Sequence, residues 1–146
     1  MSKMKDTIIT LYVDTQEIIK CSSKKKNREK ILKYILLCDN HYDHPSKVEF
    51  TSNIHPNSKI AWVGAAKYIE QSPEDFVIIK KIKPTKNNSI LKIYDSKLSS
   101  GTTHIDGHVG KVKKGSAPEE SYSIKFLVNA SGEEKVFQID PKLRVI

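Results

Sequence analysis

At 146 residues the chain has the length of a single domain, enough to bury about two-thirds of the surface its unfolded form exposes. Hydrophobic residues make up 38% and charged residues 29%, which excludes wholesale disorder and predicts one core beneath a polar surface. The formal charge of +8 invites an anionic partner, yet Arg28 and Arg144 are the only arginines among 25 cations. Bidentate phosphate and base-edge recognition favour arginine, so specific nucleic-acid readout is not expected, while non-specific attraction to an anionic partner stays open.

The opening Met1-Ser2-Lys3-Met4-Lys5-Asp6 lacks the apolar stretch and cleavage site of a secretion signal, so a cytoplasmic location is expected. The most apolar stretch, Ile31 to Cys38, is interrupted by Lys33 and is far shorter than the roughly 20 residues of a membrane span. Residues Asp6 to Val13 hold the β-branched run Thr7-Ile8-Ile9-Thr10-Leu11-Tyr12-Val13, the first predicted strand. Asp14-Thr15 behind it suits a turn or a helix N-cap. From Cys21 to Lys33 the charge is almost all positive, with Glu29 as its single acid, and predicts a solvated loop leading into a short helix. Lys24, Lys25, Lys26, Arg28 and Lys30 are the candidate contact for an anionic partner. Ile31, Tyr34, Ile35 and Cys38 fall at helical spacing and fit a buried strand equally.

From Lys47 the pattern is β throughout. Strands are predicted near Lys47 to Thr51, Lys59 to Val63, Asp75 to Lys83, Ser89 to Tyr94, Gly107 to Lys113, Ser121 to Asn129, Glu134 to Ile139 and Leu143 to Ile146. Turn residues separate them, as at Asn53-Ile54-His55-Pro56-Asn57-Ser58 and Ala130-Ser131-Gly132. Tyr122, Ile124, Phe126 and Val128 share the buried face of one strand, with Ser123 and Lys125 on the other. Ser131-Gly132 ahead of Glu134 to Ile139 predicts a hairpin. The expected fold is an all-β, two-layer antiparallel sandwich of the immunoglobulin, cupredoxin or jelly-roll kind. One short helix or basic loop stands near residues 20–38, and residues 1–146 form a single domain.

Three stretches carry a resemblance. They are Ile8-Ile9-Thr10-Leu11-Tyr12-Val13-Asp14-Thr15 with Ile18 and Ile19 behind it, Ile54 to Trp62, and Tyr122 to Phe126 with Asp140-Pro141-Lys142-Leu143-Arg144-Val145. In this order they resemble the bacterial inclusion-body proteins of the PixA/AidA-like family. Asn57-Ser58 stands where that family usually has Gly-Asp. The resemblance implies a compact, self-associating sandwich without catalytic residues to carry over.

Four of the five histidines fall in two clusters, His41-Tyr42-Asp43-His44 and His104-Ile105-Asp106-Gly107-His108. Imidazole with carboxylate suits a divalent ion, so His41, Asp43, His44, His104, Asp106 and His108 are the candidate metal ligands. Neither cluster has the HExxH spacing that presets two ligands on a helix, and His and Asp are common in polar loops. No cofactor other than such a metal is expected. Cys21 and Cys38 make no CxxC and read as packed thiols. Trp62 reads as core. No GxGxxG, P-loop or GxSxG motif occurs, and Glu119-Glu120 and Glu133-Glu134 are neighbours that point apart on a strand. The chain therefore reads as a non-enzymatic homo-oligomer that associates through sheet edges or strand faces, with Leu143 to Ile146 as the candidate edge. The alternative is a metal- or small-ligand-binding module built on the histidines.

Overall fold

The computed structural model describes residues 7–22, 24, 28–39, 51–55, 57–85, 89–93, 104–110 and 118–145, with backbone alone for Arg28 and His104. The elements in chain order are β1 (Thr7–Val13), α1 (Thr15–Ile18), α2 (Arg28–Leu32), β2 (Ile35–Asp39), β3 (Thr51–Ile54), β4 (Lys59–Ala66), β5 (Phe76–Pro84), β6 (Leu91–Ile93), β7 (His104–Val109), β8 (Glu119–Ala130), β9 (Glu133–Ile139) and β10 (Lys142–Val145).

The strands form two sheets. The first runs β2-β1-β4-β7-β6 and the second β3-β10-β8-β5, with β9 lying on β8 beyond the end of β10. The sandwich is the architecture the sequence predicts, but its sheets are mixed. β1 runs parallel to β4, and β10 parallel to β3. The stretch Ile31 to Cys38 satisfies both of its readings in turn: α2 ends at Leu32 and β2 begins at Ile35.

Alternation builds the core. β1 buries Thr7, Ile9, Leu11 and Val13 and turns Ile8, Thr10 and Tyr12 outward. Along β8, Tyr122, Ile124, Phe126 and Val128 are inaccessible to solvent while Ser123 and Lys125 face out, as their spacing predicts. Trp62 of the first sheet meets Tyr122 of the second with ring centroids 5.6 Å apart, and its Nε1–H donates to the Tyr122 hydroxyl at 3.1 Å. Burial, reinforced by the Asp39 carboxylate, outweighs that hydrogen bond and pushes the Tyr122 phenol above the ordinary tyrosine range. Removing the hydroxyl orphans a buried indole N–H. Tyr122→Phe is expected to lower unfolding stability by about 1 kcal/mol in a denaturant titration; an unchanged midpoint would show that the Trp62 donor finds another acceptor.

The β8–β9 connection is a two-residue turn in which Ser131 and Gly132 both have positive φ, 53° and 86°. That geometry matches the right-handed twist of the flanking strands. Asp14 takes the N-cap position of α1 without a side-chain cap bond. The neighbouring Thr15 instead donates its hydroxyl to Asp75, 60 residues later.

Candidate interaction surface

The residues expected to bind metal separate into three groups. His41, Asp43 and His44 lie outside the described residues. Asp106 and His108 sit on the outer face of β7, and His104, at alternate spacing on the same strand, is placed by its backbone. Register sets His108 between Lys59 of β4 and Lys92 of β6, two cations that oppose a metal ion at that point. Among the described residues no three His, Cys, Asp or Glu groups converge.

The basic stretch is similarly divided. Lys24 and Lys30 are exposed, Arg28 opens α2, and Lys25 and Lys26 lie outside the described residues.

The thiols and carboxylates have structural surroundings. Cys21 is buried against the α1 backbone. Burial first, and then the neighbouring Asp39 carboxylate, push the Cys38 thiol up, which keeps it protonated and poorly nucleophilic. Glu119 and Glu120 do point apart. Glu119 faces outward and accepts from Arg144 at 2.7 Å, while Glu120 is buried and accepts from Ser89 Oγ at 2.5 Å and from the Ile90 N–H at 3.2 Å. Both carboxylates are spent on holding strands.

The final strand is not an edge. β10 is flanked by β3 on one side and β8 on the other, so its backbone groups are already paired. Apart from β2, the outermost strands are ill suited to pairing with a second chain. β6 has three residues and β3 four; β5 carries a bulge with Lys80, Lys81, Lys83 and Pro84, and β9 opens on Glu133-Glu134-Lys135. Short length, lysine, proline and bulges all discourage edge-to-edge growth.

The outer face of the first sheet is different. Register lines up Leu36, Tyr12 and Ala65 in one row, Cys38, Thr10 and Val63 in the next, and Ile8 with Ala61 in a third. All eight side chains are uncharged in a protein where 29% of residues are charged. Ile8 is 47% and Tyr12 37% exposed. The two make a ridge along β1, and Ala61 and Ala65 make a trough along β4. At the foot of the trough a groove of about 510 Å³ opens between Thr7, Ile8, Lys59, Ala61 and Asp106. The sequence carried a signal for this face. Thr7 to Val13 and Ile60 to Ala66 hold no charged residue at either parity, whereas a strand with one face in water alternates apolar with polar residues.

No protein-family model matches the chain, and no curated protein does. A solved structure does. The crystal structure of an inclusion body protein, PixA, from Burkholderia cenocepacia aligns over 99% of this chain and 96% of its own length, with a TM-score of 0.63 and 10% identity. At that identity the likeness is one of fold, and it agrees with the resemblance read from the three sequence stretches.

Proposed function

We propose that the protein is a non-enzymatic cytoplasmic β-sandwich whose role is self-association, and that two copies meet through the outer face of the first sheet. The observation that carries this reading is the uncharged three-strand patch centred on Tyr12 and Val63. A second copy turned about a two-fold axis lying between β1 and β4 sets the Tyr12–Ile8 ridge of each against the Ala65–Ala61 trough of the other. Such an interface is isologous, the same patch on both partners, and closes as a dimer. Aligned face-to-face packing about 10 Å apart is a standard way for two sheets to bury their side chains. The likeness to an inclusion body protein supports a protein that assembles.

Three strands make a small interface, below the roughly 800 Å² per partner of a tight complex, so the dimer is expected to be micromolar. Each copy carries a formal +8, so long-range repulsion opposes the encounter, and added salt strengthens association by screening it.

Analytical ultracentrifugation across a concentration series tests the reading. The wild type is expected to shift from monomer to dimer, more readily at higher salt. Ala65→Arg fills the trough with a charge and is expected to weaken the dimer at least tenfold while the thermal midpoint holds. Val136→Glu, on the outer face of the other sheet, is expected to leave the dimer intact. A wild type that stays monomeric at every concentration, or an Ala65→Arg variant that associates normally, defeats the reading.

A further inference from the structure

The outer face of the second sheet carries an arrangement that neither the core nor the first sheet explains. Register places Ile78 of β5, Leu127 of β8 and Val136 of β9 in one row, and Lys81, Lys125 and Gln138 in the next. The bulge between Ile79 and Lys81 adds Lys80 to that second row, exposed like Lys81, and Lys83 follows opposite Ser123. Lys81 and Lys125 thus stand directly across from each other, a like-charge pairing that destabilises a sheet. Among the described residues no carboxylate lies within ion-pair reach of Lys80, Lys81, Lys83 or Lys125. On this face Glu134 is two rows from Lys81 and Lys125, in line with Asn129 and Phe76, and exposed Asp140 follows Gln138 at the end of β9.

The apolar row beside the lysines is also open to solvent. Val136 is 39% exposed and Ile78 and Leu127 are half-buried; Phe76, also 39% exposed, stands one row further, in line with Asn129 and Glu134. The face therefore sets a cationic row beside an apolar row on one rigid surface, about 7 Å from row to row along the strands.

We propose that this face docks on an anionic phospholipid bilayer, with the four lysines at the headgroup phosphates and Phe76, Ile78, Leu127 and Val136 pressed against the acyl boundary. The choice of lipid over nucleic acid follows from the side chains. Binding to single strands relies on aromatic platforms for the bases, and here three of the four apolar side chains are aliphatic. The cations are all lysine, a compact point charge suited to a diffuse field of phosphates, and not the arginine fork that grips one phosphate in two places. Among the described residues no helix is long and apolar enough to cross a membrane, so contact through this face is peripheral. The docking surface lies on the opposite side of the sandwich from the self-association face, and either stands if the other fails.

Co-sedimentation with vesicles tests it. The protein is expected to pellet with vesicles of mixed phosphatidylserine and phosphatidylcholine, to stay in solution with phosphatidylcholine alone, and to detach as salt rises. Each lysine near an anionic surface strengthens partitioning about fivefold, so K81Q/K125Q is expected to weaken it about thirtyfold. The charge-matched control K20Q/K33Q, which alters lysines of the α1 and α2 ends, changes net charge equally and is expected to have a far smaller effect. L127N, which removes the centre of the apolar row and leaves every charge, is expected to weaken binding as well. Equal losses from the two lysine pairs would assign the effect to net charge and overturn the proposal. So would failure of the wild type to bind anionic vesicles, or binding to single-stranded RNA in place of vesicles.

Discussion

Asp75→Ala is expected to lower unfolding stability by about 2–3 kcal/mol at neutral pH, because three donors from distant parts of the chain converge on one buried carboxylate. Thr15 Oγ donates to Asp75 Oδ2 at 2.6 Å, Gln16 Nε2 to the same oxygen at 2.7 Å, and the Ser131 backbone N–H to Oδ1 at 3.0 Å. The residue is only 4% exposed. It ties α1, the β4–β5 connection and the β8–β9 turn into one corner, and alanine there strands a buried hydroxyl and a backbone N–H. Burial favours the protonated acid, but the bonds from Thr15, Ser131 and Gln16 outweigh it and hold the carboxyl below the ordinary aspartate value of 3.8.

The sign of the pH effect follows from that depression. An unfolded chain takes up the proton at a higher pH than the folded one, so this contribution is complete above pH 3.8 and is lost as pH falls through the lower native value. Asp75→Asn keeps an acceptor near Thr15 and abolishes the titration. Urea unfolding of wild type and Asp75→Asn at pH 7 and pH 3 is expected to show the gap between them narrowing in acid, since every other carboxylate titrates in both. A gap of constant size would mean that the native Asp75 carboxyl ionises as it does in the unfolded chain.

The sequence showed the strands more clearly than the partners between them. Tyr122 to Val128 announced its buried face because Ser123 and Lys125 interrupt the apolar residues at period two, and Trp62 announced itself as core by its apolar neighbours. The parallel pairing of β1 with β4 had no local signal, because which strands become neighbours is decided by packing of the whole sandwich and not by either strand. The same cause misplaced the free edge. Leu143 to Ile146 lies at the chain end, yet β3 arrives from 90 residues earlier to cover it. Asp14-Thr15 was legible as a turn or a helix start, and the partner of Thr15 was not, since Asp75 lies outside any local window. The uncharged face of the first sheet was half legible: the apolar residues at both parities of β1 and β4 were visible, while their alignment into rows depended on the parallel register. The lysine face was less so, because the bulge that brings Lys80 and Lys81 to one side shifts the parity of β5 in mid-strand.

Gly64→Ala is expected to cost about 2–3 kcal/mol, because the added methyl group overpacks the space between the two sheets. Gly64 lies on β4 between Val63 and Ala65, and its backbone φ is not in the left-handed region, so the demand for glycine there is spatial. A Cβ at this position would stand 2.7 Å from the Val77 carbonyl oxygen and 2.8 Å from Val77 Cγ1. Here β4 and β5, one from each sheet, approach closely, near the connection where the chain changes layers. The contact with a carbonyl oxygen cannot be relieved by a side-chain rotation. Val77→Ala in the Gly64→Ala background removes the Cγ1 clash and leaves the oxygen in place, so it is expected to restore only part of the loss. Gly110→Ala supplies the control, since its Cβ would meet nothing closer than the Ile90 oxygen at 3.7 Å and is expected to change stability by no more than about 0.5 kcal/mol. The variant also bears on assembly. Val63 and Ala65 project from the other side of the same strand, so pushing β4 away from Val77 tilts the trough that receives the Tyr12 ridge. Gly64→Ala is therefore expected to weaken the dimer while the protein is still folded. Unchanged sedimentation would place the self-association surface elsewhere than on β4.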